Sequence, residues 1–434
     1  MRDGEVTPAL LAGVLAEHSR SKGRLRRLRE YYMGDTDVIR RVRGPGLPNN
    51  RVSHPFARYI VMVSVGYLVG ESVGYKTDKK QRATLDRVLH AYREADIPAV
   101  DIENARNAAI FGKSVELVTL PEGGDLPVPY VLSPESAFVV YGDTIAHEPL
   151  FGVYLTRRTD ENGAAGSLRA VTVTADRVTQ WLLTEDGWTA EGSQSHPFGR
   201  VPMLEYLNDE NEKGDFEWII PLIDAYDSLQ SDRLNDKDQF ADKLLVLTGC
   251  TLETDSEGRP PWLQLRMDKA LCLPDREASA QYLSGEMDEK GNEILRASLA
   301  EDIHKLSLVP DLTETSFGGN VSGIALRYRL LGLEQLAGMK QHWFTRGLKE
   351  RLRLYDSFLK LRGEKGLDVN RVTVTYTRTL PENMTETAEV VKTAREAGAI
   401  STRTMVELLH KNGDWDEEMI ERETEAARSE RESK

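Results

Sequence analysis

The spacing of hydrophobic and polar positions divides the chain into a mixed first half and a mainly helical second half. Residues 8–33, 82–95 and 101–111 carry apolar side chains at helical spacing, and residues 56–70 are apolar nearly all round. Short strand-like runs follow and alternate with turns rather than with further helices. These predicted strands are 114–119, 130–132, 137–141, 152–156, 170–175 and 177–183. The first half is therefore predicted to be α+β and built from hairpins.

Long helical patterns dominate the second half. One helix is predicted at 219–247, with Pro221 in its first turn, where the missing N–H costs nothing. Its apolar stripe comprises Leu222, Tyr226, Leu229, Phe240 and Leu244. A small module with predicted strands near 262–265 and 270–273 separates it from a shorter helix, 295–308. The module is thus predicted to be an insert between two helices.

A polar, glycine-rich loop, "VPDLTETSFGGNVSG", follows the shorter helix and precedes a very long helix predicted at 324–361. The long helix contains Gly332, Gly338 and Gly347, each about 1 kcal/mol less favourable than alanine in a helix interior. Three such glycines indicate a bend or a close helix approach. A strand at 371–378 and short helices with an acidic end are predicted to close the chain.

Composition narrows the function. The net charge of −14 opposes a tight grip on nucleic acid, because cationic side chains supply most of that affinity. The apolar run from Tyr59 to Gly70 is shorter than the roughly 20 residues of a membrane span, and no signal-peptide pattern precedes it. Cys250 and Cys272 lack metal-site or disulfide-framework spacing. We therefore expect a protein made in the cytoplasm, with no membrane partner, metal or cofactor.

Catalytic motifs are not apparent. Gly112, Lys113 and Ser114 follow the order of a phosphate-binding loop, but Asn107 occupies the position where that motif needs its first glycine. No HExxH, GxSxG or GxGxxG pattern occurs, and the eight histidines are scattered. We expect no catalytic residues. The alternative is a nucleic-acid-processing enzyme, a nuclease or a packaging ATPase, which metal-dependent cleavage or ATP turnover would reveal.

Several stretches resemble, in the same order, the portal proteins of tailed bacteriophages of the siphophage type. They include "YYMGD", "NNRVSHPFARYIVMVSVGYLVGE", "ARNAAIFGKSVELV", "PESAFVVYGDT" and "HPFGRVPMLEYLND". The most specific are "IPLIDAYDSLQSDRLND" and "VPDL…FGGNVSGIALRY". The resemblance covers about residues 29–384, whereas the insert and the tail correspond by position only. It implies a ring, usually dodecameric in the virion, around a channel for double-stranded DNA.

The resemblance also implies a domain plan and a set of partners. The α+β portal fold would have a wing, a helical stem, a small α/β clip insert, a long kinked wing helix and a helical crown. The segments would be wing 1–215 and 323–380, stem 216–247 and 295–309, clip 248–294, tunnel loop 310–322, and crown with tail 381–434. Such a protein is not an enzyme: it nucleates head assembly with major capsid and scaffolding proteins, docks the terminase large subunit, and later holds head-completion adaptors. It would be assembled in the host cytoplasm and reside at the portal vertex of the virion, although another oligomeric virion component remains an alternative.

Two groups of residues become candidates for the channel. The tunnel loop, which in the family projects into the channel, would comprise Asp311, Thr313, Glu314, Thr315, Ser316, Phe317, Gly318, Gly319 and Asn320. The stem candidates are Asp232, Asp236, Asp238, Asp242, His304 and Lys305. The acidic side chains either line the channel and repel phosphate, or pair with basic side chains of a neighbouring subunit. A solvated helix face is the simpler interpretation of the same pattern.

Overall fold

The computed structural model of this chain describes residues 5–45, 47–121, 123–124, 126–159, 165–241, 244–248, 279–283, 289–313, 323–378, 384–409 and 417–432. The described helices are α1 (Pro8–Met33), α2 (Phe56–Val69), α3 (Arg82–Glu94), α4 (Ile97–Phe111), α5 (Ile220–Ala241), α6 (Glu289–Ser307), α7 (Gly323–Arg329), α8 (Leu331–Leu361), α9 (Met384–Glu396), α10 (Thr402–Leu409) and α11 (Glu417–Glu432). The described strands are β1 (Gly74–Lys76), β2 (Lys113–Thr119), β3 (Val128–Leu132), β4 (Ala137–Tyr141), β5 (Pro149–Thr159), β6 (Ala165–Val173), β7 (Arg177–Thr184), β8 (Gly187–Ser195), β9 (Met203–Leu207), β10 (Leu244–Thr248), β11 (Ser279–Leu283) and β12 (Thr373–Thr375). The α+β prediction is confirmed.

The chain divides into two compact units. Unit 1 consists of Met1–Leu25, Ile60–Asp215 and Leu308–Lys434. Unit 2 consists of Arg26–Tyr59 and Phe216–Ser307. Each unit is discontinuous in sequence, so its core depends on contacts between distant segments.

Two antiparallel sheets form the framework of unit 1. Their strand orders are β4-β5-β6-β7-β8 and β3-β2-β9. Apolar side chains of both sheets share one buried cluster, comprising Val115, Leu117, Ala137, Val139, Val171, Val173, Val201 and Met203. All six strands predicted in the first half are present, with shifts at their ends. The sequence analysis missed β1, β8 and β9.

The long helix predicted at 324–361 is two helices, α7 and α8, which are separated at Leu330. This interruption lies two residues before Gly332. Gly347 does allow a close approach, but of β9 rather than of another helix, because a Cβ at this position would overlap the ring of Tyr206. Gly338 has open space around it. Only one of these glycines is thus required by tight packing.

A buried ionic cluster fixes α8 against α4 and β2. The Arg351 guanidinium is fully buried and donates to Glu116 at 2.8 and 2.5 Å and to Asp101 at 2.7 Å. Asn104 also donates to Glu116, at 2.6 Å. Burial raises the pKa of the Asp101 carboxyl to about 6, although the positive charge of Arg351 acts in the opposite direction. Removal of this arginine would leave two buried carboxylates without their cation.

In unit 2, the prediction of one helix over 219–247 is wrong for its last residues. α5 ends at Ala241, and residues 244–247 belong to β10, which pairs antiparallel with β11. The pairing joins segments far apart in sequence, and such long-range pairing overrides a local helical pattern. The second predicted helix, 295–308, is present as α6 but begins earlier, at Glu289. The strands predicted at 262–265 and 270–273 lie outside the described residues.

The remaining second-half predictions agree more closely. The strand predicted at 371–378 is shortened at both ends to β12, with a 3₁₀ turn at Val369–Arg371 before it, and β12 pairs with β1. The short helices predicted at the end of the chain are present as α9, α10 and α11.

Candidate functional site

The buried face of α5 changes from apolar to polar along the helix. Ile223 and Tyr226 are buried near its start, and the next positions on this face are Asp227, Ser231 and Asn235, all fully buried. These three polar residues are spaced four apart, which places them in one row along the helix. Buried polar groups need hydrogen-bond partners, so the row must face other polar groups.

The partners are backbone N–H groups of the segment 41–54, which we call the strap. Asn50 N–H donates to Asn235 Oδ1 at 2.6 Å, Val52 N–H to Ser231 Oγ at 3.0 Å, and His54 N–H to Asp227 Oδ1 at 2.9 Å.

The match between strap and helix follows from their geometries. Two residues of extended chain advance about 6.6 Å, and four residues of α-helix advance about 6 Å. Every second residue of the strap can therefore meet every fourth residue of α5. The pairing runs in opposite directions along the two segments.

Two of the predicted stem carboxylates also contact the strap. Asp232 accepts from Arg41 Nη2 at 2.7 Å and from Arg43. Asp238 accepts from Asn50 Nδ2 at 2.5 Å. The sequence analysis weighed the channel and a neighbouring subunit as sites for these carboxylates, and it did not consider partners within the same chain.

The other two predicted carboxylates, Asp236 and Asp242, are not seen to contact the strap. Asp236 is half-buried and makes no hydrogen bond or ion pair among the described residues. Asp242 lies outside the described residues. Among the described carboxylates of this set, Asp236 is therefore the one whose charge is available to a group outside the described residues.

The start of α5 is held by further buried contacts. Tyr31 Oη donates to Asp224 at 2.5 Å, and Thr36 Oγ1 donates to Asp227 at 2.7 Å. Burial raises the pKa of the Tyr31 hydroxyl and that of the Asp224 carboxyl. The acidic residues of this first half of the helix thus serve internal contacts.

α6 is joined to α5 by ion pairs and to the first turn of α2 by aromatic contacts. Arg233 lies 3.2 Å from both Glu289 and Glu293. His304 contacts the edges or faces of the Phe56 and Tyr59 rings at centroid distances of 5.9 and 5.6 Å. The predicted stem residue His304 therefore lies in an aromatic cluster, whereas Lys305 is exposed.

Two residues that flank the predicted tunnel loop, Leu308 and Gly332, lie close together in unit 1. Leu308 has a left-handed backbone conformation (φ +60°), and the next residue, Val309, is fully buried. A Cβ placed on Gly332 would lie 3.5 Å from the Leu308 carbonyl oxygen. Leu308 and Gly332, which flank the segment that contains the predicted loop, thus lie close together. Asp311 accepts from Thr313 N–H at 3.0 Å, and the predicted residues Glu314 to Asn320 lie outside the described residues.

Helix α7, which follows the loop in sequence, carries exposed positive charge. Arg327, Tyr328 and Arg329 are all exposed, and the Tyr328 side chain is 74% exposed. Guanidinium and aromatic groups are the side chains that contact phosphates and bases. The loop sequence itself contains no Lys or Arg, and the sequence analysis did not consider the helix after it.

Two negative findings concern other chemistries. Within the described ranges, no three His, Cys, Asp or Glu side chains are grouped so that they could hold a metal ion. Among the same residues, no helix has the length and apolar content needed to cross a bilayer.

Comparisons with known proteins identify the family. The profile of the family described as "Phage portal protein, SPP1 Gp6-like" matches residues 11–433. The portal protein of Bacillus phage SPP1 is 25% identical over an alignment of 409 residues that covers 87% of this chain and 78% of that protein. The portal protein of Clostridium phage phiCD119 is 22% identical over 212 residues, which are 49% of this chain and 45% of that protein. The family consists of structural components of the virion. The chain therefore belongs to the SPP1-like family of phage portal proteins.

Proposed function

We propose that this chain assembles into a closed ring at one capsid vertex and forms the channel for double-stranded DNA during packaging and ejection. Membership of the portal family over residues 11–433 carries the proposal. The ring nucleates head assembly, docks the terminase large subunit, and then holds the head-completion adaptors. Capsid and scaffolding proteins contact its outer surface.

The segments have distinct roles in this proposal. The wing consists of 1–215 and 323–380, the stem of 216–247 and 295–309, the clip of 248–294, and the crown with the tail of 381–434. The segment 310–322 is the tunnel loop. A narrow base supports that role, because Leu308 and Gly332, which flank the loop, lie close together. A loop anchored at one base can shift without disturbing the buried residues on either side.

The charges near the loop favour weak, reversible binding of DNA. The loop itself has no Lys or Arg, and Thr313, Thr315, Ser316 and Asn320 can make weak polar contacts with phosphate. Arg327 on α7 supplies positive charge just beyond the loop and makes no hydrogen bond or ion pair among the described residues. A few cationic contacts hold DNA weakly enough for it to slide.

The stem carboxylates divide between two roles in our proposal. Asp232 and Asp238 fix the strap onto α5, since both accept hydrogen bonds from it. Asp236 faces either the channel, where it repels phosphate, or a basic group of the neighbouring subunit. Asp236→Asn distinguishes the two placements: normal rings with altered packaging favour the channel, and failed assembly favours the interface.

The tunnel-loop assignment has its own test. Gly318→Pro with Gly319→Pro restricts the backbone of the loop. We expect the variant to form normal rings but to package less DNA per head when it complements a phage lacking its portal gene. Conversion of Gly338, which lies in open space on α8, to alanine is the matched control. Wild-type packaging by the double proline variant would refute the assignment.

A further inference from the structure

Two neighbouring segments of unit 1 are strongly basic, although the chain as a whole is acidic. Residues 76–87 and 360–371 contain nine Lys and Arg side chains but only four carboxylates, whereas the net charge of the chain is −14. Hydrogen bonds join the two segments, because Asp368 N–H donates to Gln81 Oε1 at 2.5 Å and Thr77 Oγ1 donates to the Arg371 carbonyl at 3.3 Å. They therefore form one surface, which we call the cationic patch.

Much of this positive charge is not neutralised within the subunit. Asp78 and Asp368 pair with Arg371, and these two carboxylates are thus already engaged. Glu364 pairs with Arg87. Five exposed side chains of the patch make no hydrogen bond or ion pair among the described residues, namely Lys76, Lys79, Lys80, Arg82 and Lys365. Their charges are available to an anion outside the described residues.

The turn before α3 holds part of the cationic patch in one conformation. Asp78 Oδ1 accepts the N–H groups of Lys80 and Gln81 at 3.0 and 3.2 Å. Its Oδ2 accepts from Arg371 at 3.2 Å. These bonds fix the backbone that carries Lys79 and Lys80. Less conformational freedom is then lost when the two side chains bind an anion.

The composition of the cationic patch favours phosphate over a protein surface as its partner. Four of the five available cations are lysines, which protein–protein interfaces contain less often than the rest of a protein surface. Leu361 is the one large hydrophobic side chain that is exposed in the two segments, all of whose residues are described. An ammonium group binds phosphate as a point charge, and duplex DNA presents one negative charge per about 1.7 Å of its axis. The phosphates of duplex DNA therefore match the patch better than an acidic protein surface does.

The cationic patch lies far from the predicted tunnel loop within unit 1. The patch contains the end of α8 at Leu361, whereas Gly332, which flanks the loop, lies at the start of this helix. A helix of 31 residues is about 45 Å long. DNA at the loop would have to follow α8 over its whole length to reach the patch. The patch is therefore a separate place of contact.

We propose that the cationic patch binds the phosphates of duplex DNA outside the channel, an inference that rests on the proposed function for the source of that DNA. The patch contacts a stretch of the genome other than the one that passes the loop. Phosphate contacts carry no sequence information, so the binding has no sequence preference. Binding by a few lysines weakens steeply with salt, which keeps the contact reversible.

Closed circular duplex DNA tests the contact, because a closed circle cannot thread a ring that has assembled beforehand. Binding of a labelled, relaxed DNA circle by full-length rings is measured between about 50 and 200 mM salt. In Lys79→Gln with Lys80→Gln, we expect the slope of log affinity against log salt to fall in magnitude by about two or more, since each lost phosphate contact removes about 0.9. Lys237→Gln with Lys392→Gln removes the same charge from exposed lysines outside both segments. This matched control should keep the wild-type slope.

The outcomes separate this inference from the proposed function. Wild-type rings that do not bind the circle would overturn the inference and leave the proposed function intact, and so would equal slopes for wild type and Lys79→Gln with Lys80→Gln. Loss of ring formation in this double variant would also overturn the inference, because the patch would then contact an acidic surface of the next subunit. If the wild-type chain forms no rings, the proposed function fails, and binding of linear duplex DNA by the free wild-type and variant chains decides the inference.

Discussion

The attachment of the strap to α5 can be tested sharply, because two aspartates of this helix differ in whether they contact the strap. Asp232 accepts from Arg41 and Arg43 of the strap, and Asp236 makes no such bond among the described residues. Asp232→Asn and Asp236→Asn remove the same charge from the same helix. Only the first should loosen the strap.

The free-energy cost of Asp232→Asn can be estimated from the exposure of the side chains in the two ion pairs. The Asp232 side chain is 42% exposed, and those of Arg41 and Arg43 are 25% and 27% exposed. Partly exposed ion pairs contribute about 0.2–1 kcal/mol each, so the loss of two costs about 1 kcal/mol. A change of that size raises the population of the locally open strap about fivefold.

Hydrogen exchange measures this opening directly. The amides of Asn50 and Val52 donate to side chains of α5, so peptides covering residues 41–52 report the strap's attachment. We expect their exchange to be about fivefold faster in Asp232→Asn and unchanged in Asp236→Asn. Equal exchange in the two variants, or no change in Asp232→Asn, would refute the reasoning.

Three further predictions concern unit 1. Arg351→Met should lower the free energy of unfolding by about 3–5 kcal/mol in chemical denaturation. The loss should be smaller at pH 5 than at pH 8, because the pKa of Asp101 is already raised to about 6, and protonation removes its uncompensated charge. Gly347→Ala should lower the melting temperature, at a cost of about 1–3 kcal/mol from overpacking, whereas Gly338→Ala in open space should leave it unchanged or raise it. Arg327→Gln should reduce packaged DNA per head in a complementation assay and Arg327→Lys should not, and equal packaging by the two would contradict a phosphate contact.

Local patterns predicted most elements because periodicity and turn residues act within a few positions. The α+β class and the main helices follow from such patterns, and so do the first-half strands. β8 was missed because its sequence, "GWTAEGSQS", is polar and lacks apolar alternation. It forms because its backbone pairs with β7, a stabilisation that its own residues do not reveal.

Non-local contacts account for the parts of the site that the sequence did not reveal. "RVRGPGLPNNR" has the composition of an ordinary loop, and nothing within it indicates that it pairs with a helix about 185 residues later. The sequence analysis named acidic residues of α5 as candidates, but it did not find their partners. The spacing of Asp227, Ser231 and Asn235 was a usable signal, since three polar residues four apart on the buried side require donors.

Direct imaging of the purified full-length chain tests the central claim. Negative-stain electron microscopy with end-on symmetry counting should show closed rings with a central hole and a flared side profile. Particles that never form closed rings across a range of salt and protein concentrations would contradict the account.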